Sequence, residues 1–305
     1  MKLSYLLICP VLIVLFITGC DLLDISGDAE KNLTYPLLAG SVWEYDREFG
    51  VYNFRSSDNP DSVIESEETY VYGHSTVRSN GTLSLDAFAN ISGAVYELEQ
   101  TYSEGLQEFT ATSWNYYTRT DDGLYMVGYK SAAGAPAMPK PAAGHTISRS
   151  NDFYILFDGE YFPSVRALSE YVEFMVKIHT TDSGDFIIEE TPLKVFPRFM
   201  LTGYQWTYRA KGNPWRVDKR ILGREIIDVA AGQFECYKVQ WFIDIQDTGD
   251  WDENLVYYDY ISDEGLIKRE FYFKDQVWIS AGSPEQKGYF DAHDISVLTG
   301  FELTE

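Results

Sequence analysis

The side chains that could carry chemistry here are of few kinds: four histidines, three cysteines, and 47 Asp and Glu set against 24 Lys and Arg. His74, His145, His179 and His293 stand far apart, none at the short spacing that lets two imidazoles share a metal. Cys236 alternates with Phe234 in a strand-like pattern and reads as a small buried hydrophobe rather than a nucleophile. Ser41, Ser75 and Ser92 lie near glycines but out of frame for the strained G-x-S-x-G turn that exposes a nucleophilic serine. The phosphate, dinucleotide and zinc-protease patterns are missing as well. Asp247, Asp250, Asp252 and Glu253 gather carboxylates in "DTGDWDEN". Their order lacks the regular alternation of a calcium loop, so a solvated hairpin tip is expected there. The sequence therefore predicts no metal site, no cofactor and no catalytic residue.

One cysteine does sit in a reactive pattern. The chain opens "MKLSYLLICPVLIVLFITGC", where Lys2 precedes an apolar run of about 15 residues, short of the ~20 that a spanning helix needs. A positive start, a short apolar stretch and small residues at its end make a signal peptide. Ile17-Thr18-Gly19-Cys20 resembles the bacterial lipobox, in which small residues admit the peptidase to the backbone and the cysteine thiol takes a diacylglyceryl group. The new amine of Cys20 would then be acylated in turn, and several chains together anchor where a single one holds only marginally. The polar "DLLDISGDAEKN" that follows reads as a tether. An anchor in a bacterial membrane at Cys20 is expected, on the periplasmic or outer surface of the cell envelope.

Composition narrows the partners. Loss of residues 1–19 removes Lys2 and takes the formal net charge from −23 to −24. Such a chain has no basic surface with which to neutralise nucleic-acid phosphates. With Cys9 in the signal and Cys20 acylated, Cys236 has no partner for a disulfide.

The periodicity is that of strands. "YDREFGVYNF", "ETYVYGHSTV", "EFTATSWNYYTRT", "DFYILF", "YVEFMVKIH", "DFIIEE", "QWTYRAK", "CYKVQWFIDIQD", "ENLVYYDYIS" and "LIKREFYF" are rich in aromatic and β-branched residues, several alternating at period two. Turn signals fall between them at 79–81, 121–123, 182–185, 247–250 and 263–265. One short helix is expected at "PSVRALSEY", with Pro163 near its first turn and Val165 and Leu168 on one side. "SAAGAPAMPKPAAGH" at 131–145 reads as a linker.

Parts of the sequence recur. "YPLLAGSVWEY" (35–45) returns as "FPRFMLTGYQWTY" (196–208), "VRSNGTLSL" (77–85) as "VAAGQFECY" (229–237), and "TDDGL" (120–124) as "SDEGL" (262–266). Three landmarks in one order predict a duplicated β-unit. The division expected is signal 1–19, tether 20–33, first unit 34–130, linker 131–150, connecting strands with a short helix 151–195, and second unit 196–305. Trp43 and Tyr45, like Trp206 and Tyr208, are two apart and share one face of their strand. They are expected to anchor a core, with the lining of a ligand cavity as their alternative role.

The segments "YPLLAGSVWEYD", "VAAGQFECYKV" and "SDEGLIKRE" resemble those of a group of uncharacterised bacterial lipoproteins and exported proteins. The resemblance covers most of residues 33–275. It implies a curved antiparallel sheet like that of the periplasmic lipoprotein carriers, around an apolar cavity, and brings no catalytic residues with it. The expectation is an all-β chain, either two related curved sheets or one incomplete barrel. Its expected role is that of a non-catalytic binding or interaction module, for a hydrophobic small molecule or an envelope protein. A hydrolase acting on envelope glycan or lipid is the alternative, since carboxylate pairs of that kind meet only in three dimensions.

Overall fold

In a computed structural model, residues 32–63, 69–104, 109–131, 153–177, 186–210, 215–280 and 287–304 are described. Cys20, the linker beyond Ser131, the turn at 182–185, His145 and His179 lie outside them. The strands in chain order are β1 (Val42–Ser56), β2 (Asn59–Val63), β3 (Thr69–Leu83), β4 (Val95–Glu104) and β5 (Phe109–Thr120). Then come β6 (Gly123–Ser131), β7 (Phe153–Phe157), β8 (Glu160–Phe162), helix α1 (Val165–Lys177) and β9 (Phe186–Pro197). The chain finishes with β10 (Gln205–Arg209), β11 (Arg216–Val229), β12 (Gly232–Asp244), β13 (Leu255–Ser262), β14 (Gly265–Ser280) and β15 (Lys287–Glu302).

All the strands belong to one antiparallel sheet, nearly closed into a barrel. Of the two architectures expected, the incomplete barrel is the one observed. The main path runs β10-β11-β12-β13-β14-β15-β1-β3-β4-β5-β6-β9. It is two runs of six, joined where β15 pairs with β1. Each run opens on the Trp-x-Tyr motif, and each turns its Asp-rich hairpin, at Gly123 or Gly265, between its fourth and fifth strands. The middle landmark does not correspond. Gly81 lies at an irregularity inside β3, whereas Gly232 follows the turn from β11 to β12. The seam between β9 and β10 is bridged by side chains: Trp206 Nε1 donates to Lys194 O at 2.8 Å, and Lys219 Nζ to Val195 O at 3.2 Å.

Alternation decides which face is inside. Along β1, Trp43, Tyr45, Arg47, Phe49 and Val51 are all buried, two residues apart, while Glu44 and Asp46 face water. The concave side thus made does not stay empty, because α1 packs inside it. Ser164 caps the helix, accepting from Ala167 N at 3.2 Å, and Pro163 sits just ahead of the cap. Leu168, Val172 and Val176 are completely buried among Phe49, Leu193, Trp241, Phe271 and Phe290. The helix is longer than the sequence signal indicated. "YVEFMVKIH", read from its apolar content as a strand, is helical through Lys177, because Val172 and Val176, four apart, continue the face begun by Val165 and Leu168. A second core closes the end where β1 begins, around Trp43, Tyr45, Trp206, Tyr237 and Leu298.

Asn32 and Leu33, at the end of the expected tether, are held by the barrel. Asn32 bridges to Phe199, and the buried Leu33 donates its N–H to Arg198 O at 3.2 Å.

Candidate functional site

Inside the barrel, at the level of α1, a polar cluster interrupts the apolar core. Arg47 on β1 reaches Asp294 on β15 through two hydrogen bonds, from Nε at 2.8 Å and from Nη2, and Ser169 of α1 donates to the same carboxylate. Arg269 on β14 holds Asp259 on β13 in the same two-pronged way, at 2.7 and 3.3 Å, while Trp241 Nε1 donates to Asp259 at 3.0 Å. Glu173 of α1 lies between the two guanidinium groups, 3.4 Å from Arg47 and 3.8 Å from Arg269. Burial by itself would lower the pKa of either arginine. The carboxylates against them reverse this and hold both well above the ordinary value. At the C-terminal end of α1, Arg209 Nε donates to Val176 O at 3.1 Å and Nη2 to Glu189 at 3.0 Å, placing a cation where the helix dipole is negative.

Next to this cluster is a cavity of about 130 Å³, lined among others by Tyr45, Arg47, Ser75, Gln100, Asn115, Tyr117, Glu173, Asp259 and Arg269. Two of its polar atoms, Ser75 Oγ and Asn115 Oδ1, are buried and have no hydrogen-bond partner among the described residues. Leaving such atoms unsatisfied costs about 1–3 kcal/mol each, so a site of this kind calls for something that can hydrogen-bond. Burial drives the hydroxyls of Tyr45 and Tyr117 well above the usual tyrosine range, so both stay protonated. Tyr35, Leu124 and Phe196 line the cavity and also an outer cleft of about 600 Å³ at the barrel end where β1 begins. Tyr35, its hydroxyl raised to about 12 by burial, lies tilted against Phe196 with centroids 5.5 Å apart, and the two rings border both spaces.

Of the four aromatic residues singled out in the sequence, Tyr45 borders this cavity, its hydroxyl donating to Leu266 O at 2.9 Å. Trp43, Trp206 and Tyr208 are buried in packing. Trp43 Nε1 donates to Glu264 O at 2.6 Å, and Tyr208 lies against Trp241 with centroids 5.3 Å apart. The other chemistry-bearing residues do not converge. His74 meets Asp46 at 3.3 Å on the surface, and His293 meets Glu48 at 2.9 Å on the outer face. In the acidic loop, Asp252 accepts from Asn254 N, while Asp244 just upstream accepts from Thr248 N and Gly249 N, so both carboxylates hold their own turns. Among the described residues no three metal-ligating side chains come together, and no helix is long and apolar enough to cross a membrane. Sequence reasoning missed Arg47, Asn115, Glu173 and Arg269, and considered Ser75 only as a nucleophile. They come from five separate elements, and no local spacing announces them.

The fold and its interior define a class: an all-β incomplete barrel filled by one helix, with a small polar cavity beside a buried ion-pair cluster. No family model matches the chain. No curated protein matches it. Two solved structures are similar. One is a Bacteroides fragilis protein described as exported, with a YmcC-like fold, at 14% identity over 89% of this chain and 100% of that one, with a TM-score of 0.34. The other is a Parabacteroides distasonis protein described as a lipoprotein, at 12% identity over 88% and 97%, with a TM-score of 0.32. Likenesses this slight fix no shared function.

Proposed function

We propose that the chain is an exported lipoprotein, acylated at Cys20 and held to a bacterial membrane in the cell envelope, where it serves as a non-catalytic binding module. The lipobox-like end of the signal carries the anchor. The binding role rests on one observation: Ser75 Oγ and Asn115 Oδ1 border the inner cavity with no hydrogen-bond partner among the described residues. A cavity of about 150 Å³ takes a molecule the size of benzene, and this one is of that order. Those two atoms favour a small ligand that can hydrogen-bond over the larger hydrophobic molecule expected for a concave sheet, because α1 and its aromatic neighbours already cover the concave face. The two carboxylates that line the cavity support binding rather than hydrolysis: Asp259 is held by Arg269 and Glu173 lies between Arg47 and Arg269, so both are engaged in ion pairs.

The test is native mass spectrometry of the purified lipoprotein beside its Asn115→Leu and Ser75→Ala variants. A small adduct on the wild type that both variants lose, with their melts intact, is the expected result. A wild type that carries no adduct and melts at the same temperature as both variants would remove the cavity from consideration.

A further inference from the structure

The described chain begins at one end of the barrel, and that end also carries an apolar loop. Five loops, leading into β4, β6, β10, β12 and β14, lie at this end together with the segment before β1 and the end of β15. Asn32 is fixed there by its bridge to Phe199 in the β9–β10 loop, and residues 21–31 alone separate it from Cys20. The twelve steps of chain from Cys20 to Asn32 reach at most about 40 Å, so an acylated Cys20 would keep this end near the bilayer.

The β9–β10 loop has the alternation of a surface that meets an apolar phase. Met200 turns inward and is buried, while Phe199 and Leu201 on either side point out, 43% and 37% exposed. Tyr204, 40% exposed, follows and stacks on Trp206 with centroids 5.9 Å apart. The loop is not loose. Gly203 N donates to Ile221 O at 2.7 Å and Tyr204 N to Leu201 O at 3.0 Å, so the outward side chains are presented from a fixed backbone. The guanidinium of Arg198 lies 5.4 Å over the ring of Phe199, an arrangement suited to a headgroup phosphate above an inserted ring. Aromatic and aliphatic side chains with a cation at their edge are the composition of an interfacial contact.

We propose that this end of the barrel rests on the membrane that holds Cys20, with Phe199, Leu201 and Tyr204 dipping into the boundary between headgroups and acyl chains. The inference rests on the lipoprotein reading. Because the mature chain is strongly acidic, the contact is apolar in origin and suits a zwitterionic bilayer better than an anionic one. Anchor and loop together orient the barrel, so that the outer cleft opens toward the lipid surface and the far end, with Tyr161, toward the aqueous side.

The experiment places an environment-sensitive fluorophore at Leu201→Cys or, as the control at the far end, at Tyr161→Cys, on the acylated protein reconstituted in phosphatidylcholine vesicles. The label at 201 is expected to shift its emission to the blue and to be quenched by lipids brominated along their chains, while the label at 161 does neither. Adding Phe199→Ser, a change at an exposed side chain, should weaken the quenching at 201 and leave the melt unmoved. Equal, water-like emission at both positions would overturn the docking. So would a blue shift at 201 that brominated lipid does not quench, since that assigns the patch to a second copy of the chain. Intact mass reads the anchor separately. A mature protein without acyl mass sinks the lipoprotein reading, and the quenching measured on that protein with vesicles in excess then decides the docking by itself.

Discussion

Trp43 and Gly265 meet across the join between the two strand runs: the indole Nε1 donates to Glu264 O at 2.6 Å, and a Cβ on Gly265 would stand 2.9 Å from that nitrogen. The first strand of one run is thereby pinned to the Asp-rich hairpin of the other. Gly265 also has φ +120, which disfavours any side chain. Emptying the Trp43 site by Trp43→Ala should cost about 3–5 kcal/mol, the penalty of removing a large buried ring. Gly265→Ala should destabilise too, although it removes nothing. Thermal or urea melts of the two variants check this. A Trp43→Ala protein as stable as the parent would show that the indole is not part of the core.

The buried pair of Arg47 and Asp294 gives a prediction about specificity of pairing. Both side chains are buried, and Ser169 ties the carboxylate to α1. Arg47→Met alone leaves the Asp294 carboxyl group buried without its counter-ion, which should cost about 3–5 kcal/mol. Combining it with Asp294→Leu should recover most of that loss, because two apolar side chains no longer carry the desolvation of two ions. A double-mutant cycle by denaturant melts measures the coupling. Additive losses in the double variant would mean that the two groups act independently.

Much of the barrel is legible in the sequence because its strands alternate cleanly. β1 buries every second residue from Trp43 to Val51, and β13 begins in the same way with Leu255, Tyr257 and Asp259. β15, sixteen residues long and at the centre of the sheet, is not legible, because its inward face runs Phe290, Ala292, Asp294, Ser296, Leu298 and two of these are polar. The feature that hides the strand is part of the polar cluster. The later half of α1 misleads for another reason: a short apolar run fits period two about as well as period 3.6. The cavity is the least legible. Arg47 and Glu173, 126 residues apart, and Ser75 and Asn115, on β3 and β5, come together only through sheet closure around the helix.

Cys236 is fully buried, with its Sγ toward Phe234 O at 3.7 Å. Burial pushes its thiol up to about 12, with Glu264, Glu225 and Glu235 adding to the shift. Thiolate is the reactive form, so native protein at pH 8 should resist alkylation, whereas the unfolded chain should react at the rate of an ordinary cysteine. Mass spectrometry after brief iodoacetamide treatment, with and without urea, reads the difference. Equal labelling in both states would place Cys236 at an accessible surface.

Asp122, in the hairpin between β5 and β6, accepts from Thr120 Oγ1 at 2.5 Å, from Lys194 Nζ on β9 at 2.9 Å and from Tyr125 OH at 2.7 Å. The Thr120 hydrogen bond, followed by those from Lys194 and Tyr125, holds its pKa well below the usual carboxylate range. A carboxyl that binds its proton less readily when folded stabilises the native state above its unfolded pKa, near 4, and loses that contribution as pH falls further. Wild type should therefore lose stability below about pH 4 more steeply than Asp122→Asn, with the two curves converging at the acid end. The carboxylate is largely exposed, so the gap between them should be modest and should shrink at high salt. The Asn variant should be the less stable of the two at pH 7, because Lys194 loses its counter-charge at the end of the sheet where β9 turns toward the seam. Melts from pH 2 to 7 at two salt concentrations check both trends, and parallel curves throughout would mean that Asp122 titrates alike in the folded and unfolded chain.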